Sequence, residues 1–248
     1  MNYKKIYEKQ YGEKRLENVP PRQFWGLRKL LKKYDWDRYT VAEQLTGRGG
    51  RILDIGCGEG YLLRRLEGKF EELYGLDVAP SRLREAEQKV KEHCPAGISK
   101  FSFVEGNADE RLPFPDDYFD AITCIAVIEH VYDVFSLVKE AYRVLKPDGY
   151  VIAEVPNIAY LKYRVSFLLG KLPATSSPYN WEEIGWDGGH IHYFTMEKFC
   201  WLFESQGFKI EKRSGSGFLA PFRNWWPALL CGDLVVKAVK VLKSGTRR

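Results

Sequence analysis

Arg51 to Leu66 reads RILDIGCGEGYLLRRL. A short apolar run ending in an acid (Ile52, Leu53, Asp54) precedes Gly56, Gly58 and Gly60, and Leu62, Leu63 and Leu66 then recur at helical spacing. The order is strand, tight turn, helix start. Glycine at such a turn permits positive φ and lets a ligand approach the backbone without meeting a Cβ. The helix N-terminus beyond offers unpaired N–H groups to an anion. The stretch therefore reads as a cradle for a nucleotide-like cofactor. The dinucleotide pattern G-x-G-x-x-G fits poorly, because Tyr61 stands where its third glycine packs helix on strand and Gly60 comes one residue early. A P-loop is excluded, since no Lys followed by Ser or Thr succeeds the last glycine.

The spacing of Asp54, Gly56, Gly58 and Gly60 resembles motif I of the class I S-adenosylmethionine-dependent methyltransferases, with Cys57 inside the turn. Further landmarks follow in the family's order to about Pro156. The resemblance implies an α/β, Rossmann-like fold: a seven-stranded, mostly parallel sheet of order 3-2-1-4-5-7-6, helices on both faces and a lid insertion. It also implies S-adenosylmethionine as cofactor. Downstream, Glu72 to Asp77 reads as the second strand, and Asp77 lies 21 positions after Gly56. That is near the ~20-residue interval at which an acid meets ribose hydroxyls in βαβ cofactor sites. Val78 is expected beside the adenine, and Pro80 with Ser81 supplies the next helix start. After the third strand, Phe101 to Glu105, the resemblance points to Asn107, Ala108 and Asp109 as adenine contacts, either Asn107 or Asp109 accepting from the exocyclic amine.

Phe119 to Cys124 is the expected fourth strand, and Ile125, Ala126, Glu129 and His130 just beyond it are expected near the reactive methyl. Relatives that methylate polyprenyl-linked phenols bind a divalent metal through an additional acid four residues before the histidine. Ala126 holds that position here, so no metal is expected. An amphipathic helix over Phe135 to Leu145 ends at Lys146-Pro147-Asp148-Gly149, and Tyr150 to Val155 is the fifth strand. Thr195 to Gly207 reads as a helix with Thr195 as N-cap, and Phe208 to Lys212 and Asp233 to Val239 as the closing hairpin.

A chain of 248 residues, 45% hydrophobic, suits one decorated domain. The expected division is an N-terminal helical extension (1–50), a cofactor-binding core (51–156), an acceptor or lid insertion (157–196) and a C-terminal hairpin region (197–248). In the extension, helices are expected over Tyr3 to Tyr11 and over Arg22 to Leu45; Tyr3, Tyr7 and Tyr11 form a stripe that suits a cover or plain core packing. Five cysteines without C-x-x-C spacing argue against both a disulfide framework and a zinc site, and favour a reducing interior. No signal-peptide core or run of roughly 18 apolar residues is present, so a soluble, cytoplasmic protein is expected. The net charge of +5 is uneven: 12 basic against 6 acidic residues over 1–50, 13 against 19 over 51–150, and 13 against 8 thereafter. Basic flanks suit a phosphate-bearing acceptor, a nucleic acid or an anionic surface, or simply a solvated helix face.

Acceptor specificity is expected between Ile158 and Met196, where Trp181, Trp186, Tyr193 and Phe194 suit an aromatic pocket. The aromatic stretch Gly215 to Gly232 is expected to serve that pocket or the core, with peripheral membrane contact as the other option. A hydroxyl nucleophile needs a base, and His130, His190 and His192 are the candidates, each with a loop-holding role as its alternative. The expected activity is in-line methyl transfer, O-methylation of a small molecule (a glycan, lipid-linked or phenolic metabolite) leading. The alternatives are RNA or other N-methylation, disfavoured because Cys124-Ile125-Ala126-Val127 replaces the Pro-Pro-aromatic step of many amino-group methylases, and a non-catalytic cofactor-binding scaffold.

Overall fold

The computed structural model describes residues 31–176 and 189–241. Its strands are β1 (Asp35–Trp36), β2 (Gly49–Ile55), β3 (Phe70–Asp77), β4 (Phe101–Glu105), β5 (Phe119–Ile125), β6 (Leu145–Pro156), β7 (Phe208–Phe218) and β8 (Asp233–Lys240). They form one sheet in the order β1-β7-β8-β6-β5-β2-β3-β4. β2 to β6 pair in parallel, and β8 enters antiparallel between β6 and β7. Apart from β1, this is the expected seven-stranded order. β1 is the difference: Asp35 and Trp36 pair with Phe218 and Gly217 and extend the edge.

That pairing also ends the expected helix over Arg22 to Leu45. Among its described residues, Lys32–Tyr34 is a single 3-10 turn, the chain then extends as β1, and α1 (Arg38–Leu45) starts afresh. Asp37 caps α1, its Oδ1 accepting from Thr40 N at 2.7 Å. A carboxylate at the N-cap satisfies a backbone donor the helix cannot, which is why the restart falls there. The stripe of Tyr3, Tyr7 and Tyr11 lies outside the described residues.

Burial is continuous along the carboxyl halves of the central strands, as a sheet covered on both faces requires, and successive side chains point to opposite faces. Leu53, Ile55, Ile122, Cys124, Val151, Ala153 and Val155 pack on one face with α4 (Val134–Val144) and α6 (Met196–Ser205). Ile52, Ala121, Ile125 and Ile152 pack on the other with α1, α2 (Tyr61–Arg65) and α3 (Pro80–His93). α4 buries Val134, Leu137, Val138, Ala141 and Val144, one stripe at helical spacing. Thr195 does cap α6, accepting from Lys198 N.

Two local expectations change. Lys146 to Gly149 lies within β6 as an irregularity, because Leu145 already pairs with Phe119 before the register shifts to Ala121–Tyr150. Ser81 supplies no cap to α3; its buried hydroxyl has no partner, and Asp77 Oδ1 instead accepts from Ala79 N at 2.9 Å.

Candidate active site

The parallel strands all end on one side, and between β2 and β5 the chain switches direction across the sheet, which opens a crevice beyond their carboxyl ends. A cavity of about 890 Å³ fills that crevice. Its size lies in the ~300–1,000 Å³ range of small-molecule sites.

The cofactor end is built from backbone. Gly56 N donates to Leu76 O at 2.7 Å, tying the turn after β2 to the end of β3. Gly56 has φ +72°, and a Cβ there would stand 2.3 Å from Val127 Cγ2, so only glycine fits. Gly58 has φ +53° and nothing within 4 Å of a Cβ position, so the turn presents bare backbone to the cavity. Asp77 clamps the two βα turns together, Oδ2 accepting from Gly58 N at 2.9 Å and Oδ1 from Ala79 N. Burial raises its pKa, against the pull of those N–H groups. Beneath them, burial pushes the Asp54 carboxyl up to about 7, while Thr123 Oγ1, donating at 2.6 Å, opposes the rise. Desolvation also raises the Cys57 thiol well above its ordinary range. The residues present suit an adenosyl cofactor: bare glycine backbone, a clamped acid at the end of β3, and polar groups after β4.

The other end is built from side chains on the loop after β5. Ala126 adopts φ +57°, an unusual backbone for alanine, and directs the chain into a turn over Ile128–His130. Glu129 is buried on the cavity wall, and its Oε2 has no hydrogen-bond partner. Desolvation pushes its carboxyl up to about 7, the Arg38 charge opposing. His130 Nδ1 donates to Gly189 O at 3.2 Å, and His190 Nδ1 meets Thr175 Oγ1 at 2.7 Å. The two imidazoles meet edge to face with centroids 4.7 Å apart. Behind them Arg38 Nη1 pairs with the fully buried Glu154 Oε2 at 3.4 Å. Glu154 Oε1 has no partner, and burial raises its pKa well above the carboxylate range.

Of the sequence-derived residues, Asp54, Gly56, Cys57, Gly58, Asp77, Val78, Asn107, Ala108, Asp109, Ile125, His130 and His190 line this cavity. Gly60 does not; it takes φ +69° where a Cβ would crowd Ala86 and Phe103, a packing role. His192 is also outside, its Nε2 3.3 Å from Tyr132 O and its backbone N donating to Glu129 O. Asp109 Oδ1 is engaged by Tyr132 N and Asp133 N, so it holds the loop after β5 as well as facing the cavity. Tyr193 is exposed and Phe194 packs on Phe199 in the core, and neither lines this cavity. Trp181 and Trp186 lie outside the described residues. Phe222, Trp225 and Trp226 are exposed, against the expected pocket or core role.

Arg38 and Tyr39 also line the cavity and Glu154 backs it, none of them marked by a motif. An acid inside the apolar run Tyr150 to Val155 was the one available signal for Glu154. His190 joins Glu129 and His130, and the ligand atoms of the three all lie within 4.8 Å of one another. One carboxylate and two imidazoles are a donor set that a divalent cation accepts.

The fold and this cavity define a class I S-adenosylmethionine-dependent methyltransferase, and the chain belongs to that family. Residues 53–153 match the methyltransferase domain family. Demethylmenaquinone methyltransferase of Bacillus subtilis is 32% identical over 227 residues, covering 80% of this chain and 94% of that protein. Its counterpart in Anoxybacillus flavithermus is 32% identical over 188 residues, covering 70% and 76%. A S-adenosylmethionine-dependent methyltransferase structure from Mesorhizobium loti superposes with a TM-score of 0.60 at 19% identity, covering 81% of this chain and 97% of that one. Among the described residues no helix is long and apolar enough to cross a membrane.

Proposed function

We propose that this methyltransferase acts on a small acceptor that presents a hydroxyl group, with O-methylation as the leading outcome. The observation that carries this reading is Glu129: a buried carboxylate on the cavity wall, with one oxygen lacking a partner, beside two imidazoles. An unpartnered buried acceptor oxygen is costly, and a ligand hydroxyl would satisfy it. Asp77, the bare Gly58 backbone and the Asn107 to Asp109 loop would hold the cofactor. When bound, S-adenosylmethionine supplies an electrophilic sulfonium methyl. Glu129 would then hold the acceptor hydroxyl and take its proton, with His130 and His190 at hand to pass that proton on. Arg38 and Glu154 fix the wall behind.

A second reading is favoured by the relatives' names, which include a ubiquinone/menaquinone biosynthesis C-methyltransferase: methylation of a ring carbon in a quinol-type acceptor. Loss of the same hydroxyl proton makes the neighbouring ring carbon nucleophilic, so both readings use Glu129 in one way. The test is transfer from methyl-labelled S-adenosylmethionine to a panel of phenols, sugars and a reduced naphthoquinone, with the product's methyl assigned by NMR. A methoxy signal is expected, and a ring C-methyl would select the second reading. Glu129→Gln is expected to lower kcat by about 10²-fold or more with cofactor affinity unchanged. Unchanged kcat would remove Glu129 from the reaction.

A further inference from the structure

We propose that the face formed by residues 161–172 and 222–226 docks on an anionic lipid bilayer beside the cavity mouth.

The segment α5 (Leu161–Leu168) buries no residue. Leu161, Val165 and Leu168 fall at i, i+4 and i+7, one exposed apolar stripe, and Phe167, Leu169 and Leu172 extend it. Leu168 is 84% exposed. A second exposed group, Phe222, Trp225 and Trp226, lies on the loop between β7 and β8, with Trp225 75% exposed. The turn that leads into α5 is tied to this loop: the Arg223 guanidinium sits 5.2 Å over the Tyr160 ring, and Asn157 Nδ2 donates to Ala228 O and Cys231 O. The start of α5 and the tryptophan loop are therefore neighbours on the surface. An exposed apolar group of this size on a folded protein marks an interaction surface.

Charge selects the occupant. No acidic residue occurs in 155–176 or in 212–232, whereas Lys162, Arg164, Lys171 and Arg223 lie within the two segments. Exposed tryptophans with leucines, interspersed with cations alone, match the headgroup and acyl boundary of an anionic bilayer. There Trp rings rest at the interface, apolar side chains enter, and Lys and Arg reach the phosphates. A protein partner would be expected to meet some carboxylates on this face. The chain also runs from the face directly into the site: three residues beyond Leu172, Thr175 lines the cavity and bonds His190. An acceptor carried by the bilayer would enter from this side, a consequence that rests on the transfer reading above, whereas the docking itself does not.

Flotation of the full chain with phosphatidylcholine vesicles, with and without phosphatidylglycerol, tests the proposal. Bound fraction is expected to rise about tenfold with the anionic lipid and to fall back in a Leu168→Ser, Trp225→Ala, Trp226→Ala variant. All three side chains are half or more exposed, so the fold should persist, and unchanged S-adenosylmethionine titration of the variant checks that independently of vesicles. A blue shift of tryptophan emission on vesicle addition, lost in the variant, is the second expected reading. Absence of flotation at low salt, flotation equal in wild type and variant, or concentration-dependent self-association abolished by the variant without vesicle binding would each overturn it.

Discussion

Asp54 illustrates how far a single residue's environment departs from its sequence signal. The sequence marks it as the acid closing the first strand; the structure buries it, bonds it to Thr123 and pushes its carboxyl up to about 7 from an ordinary 3.8. Between those values the folded chain holds a proton that the unfolded chain releases. Stability therefore falls as pH rises from about 4 to 7, because the slope follows the protons bound by the unfolded state minus those bound by the native state. Glu129 adds in the same direction. Asp120 and Glu140, whose pKa values are lowered, act oppositely and at lower pH. Thermal melts of the cofactor-free protein should show a Tm decline between pH 5 and 7.5 that is smaller in Asp54→Asn. An equal decline in both would show that Asp54 does not titrate this way. None of this was legible from the sequence, since the carboxyl is buried by the fold and bonded by Thr123 from a strand distant in sequence.

Elements were legible where the signal is local. The strand, turn and helix from Arg51 to Leu66 follow from a change of period around three glycines, and Thr195 caps α6 because a threonine preceding an apolar helix meets its own third-following N–H. Illegible features depend on contacts distant in sequence. The helix expected through Leu45 breaks because Asp35 and Trp36 meet Phe218 and Gly217. Trp225 and Trp226 are expected in the pocket or the core because Arg223 and Asp233 interrupt their apolar stretch, yet the loop carries them outward. The turn after β2 is the element on which the site depends most. Gly56→Ala places a Cβ 2.3 Å from Val127 Cγ2 at φ +72°, and should cost about 2 kcal/mol or more, read in a urea melt. Adding Val127→Ala should return the part due to the clash and leave the backbone part. Wild-type stability in Gly56→Ala would contradict the packing described.

At the scale of the whole molecule, the sheet order brings the ends of β2 to β6 into one crevice and gives it two unlike ends. One is backbone and clamped turns, the other buried carboxylates and imidazoles. The first end was largely readable, because cofactor binding uses a short stretch with fixed spacing. The second was only half readable: Glu129 and His130 are adjacent, but Arg38, Glu154 and His190 come from three other segments. The division explains why the cofactor is identified more sharply than the acceptor: function is carried by the site, and this second end is assembled by the fold from distant segments. The most direct measurement is calorimetric titration of the chain with S-adenosylmethionine and with its demethylated product, on wild type and on Asp77→Ala. Both ligands should bind the wild type, and the substitution should weaken each by about tenfold or more, since it removes the acid that clamps Gly58 and Ala79. A well-folded wild type that binds neither ligand would contradict the account at its centre.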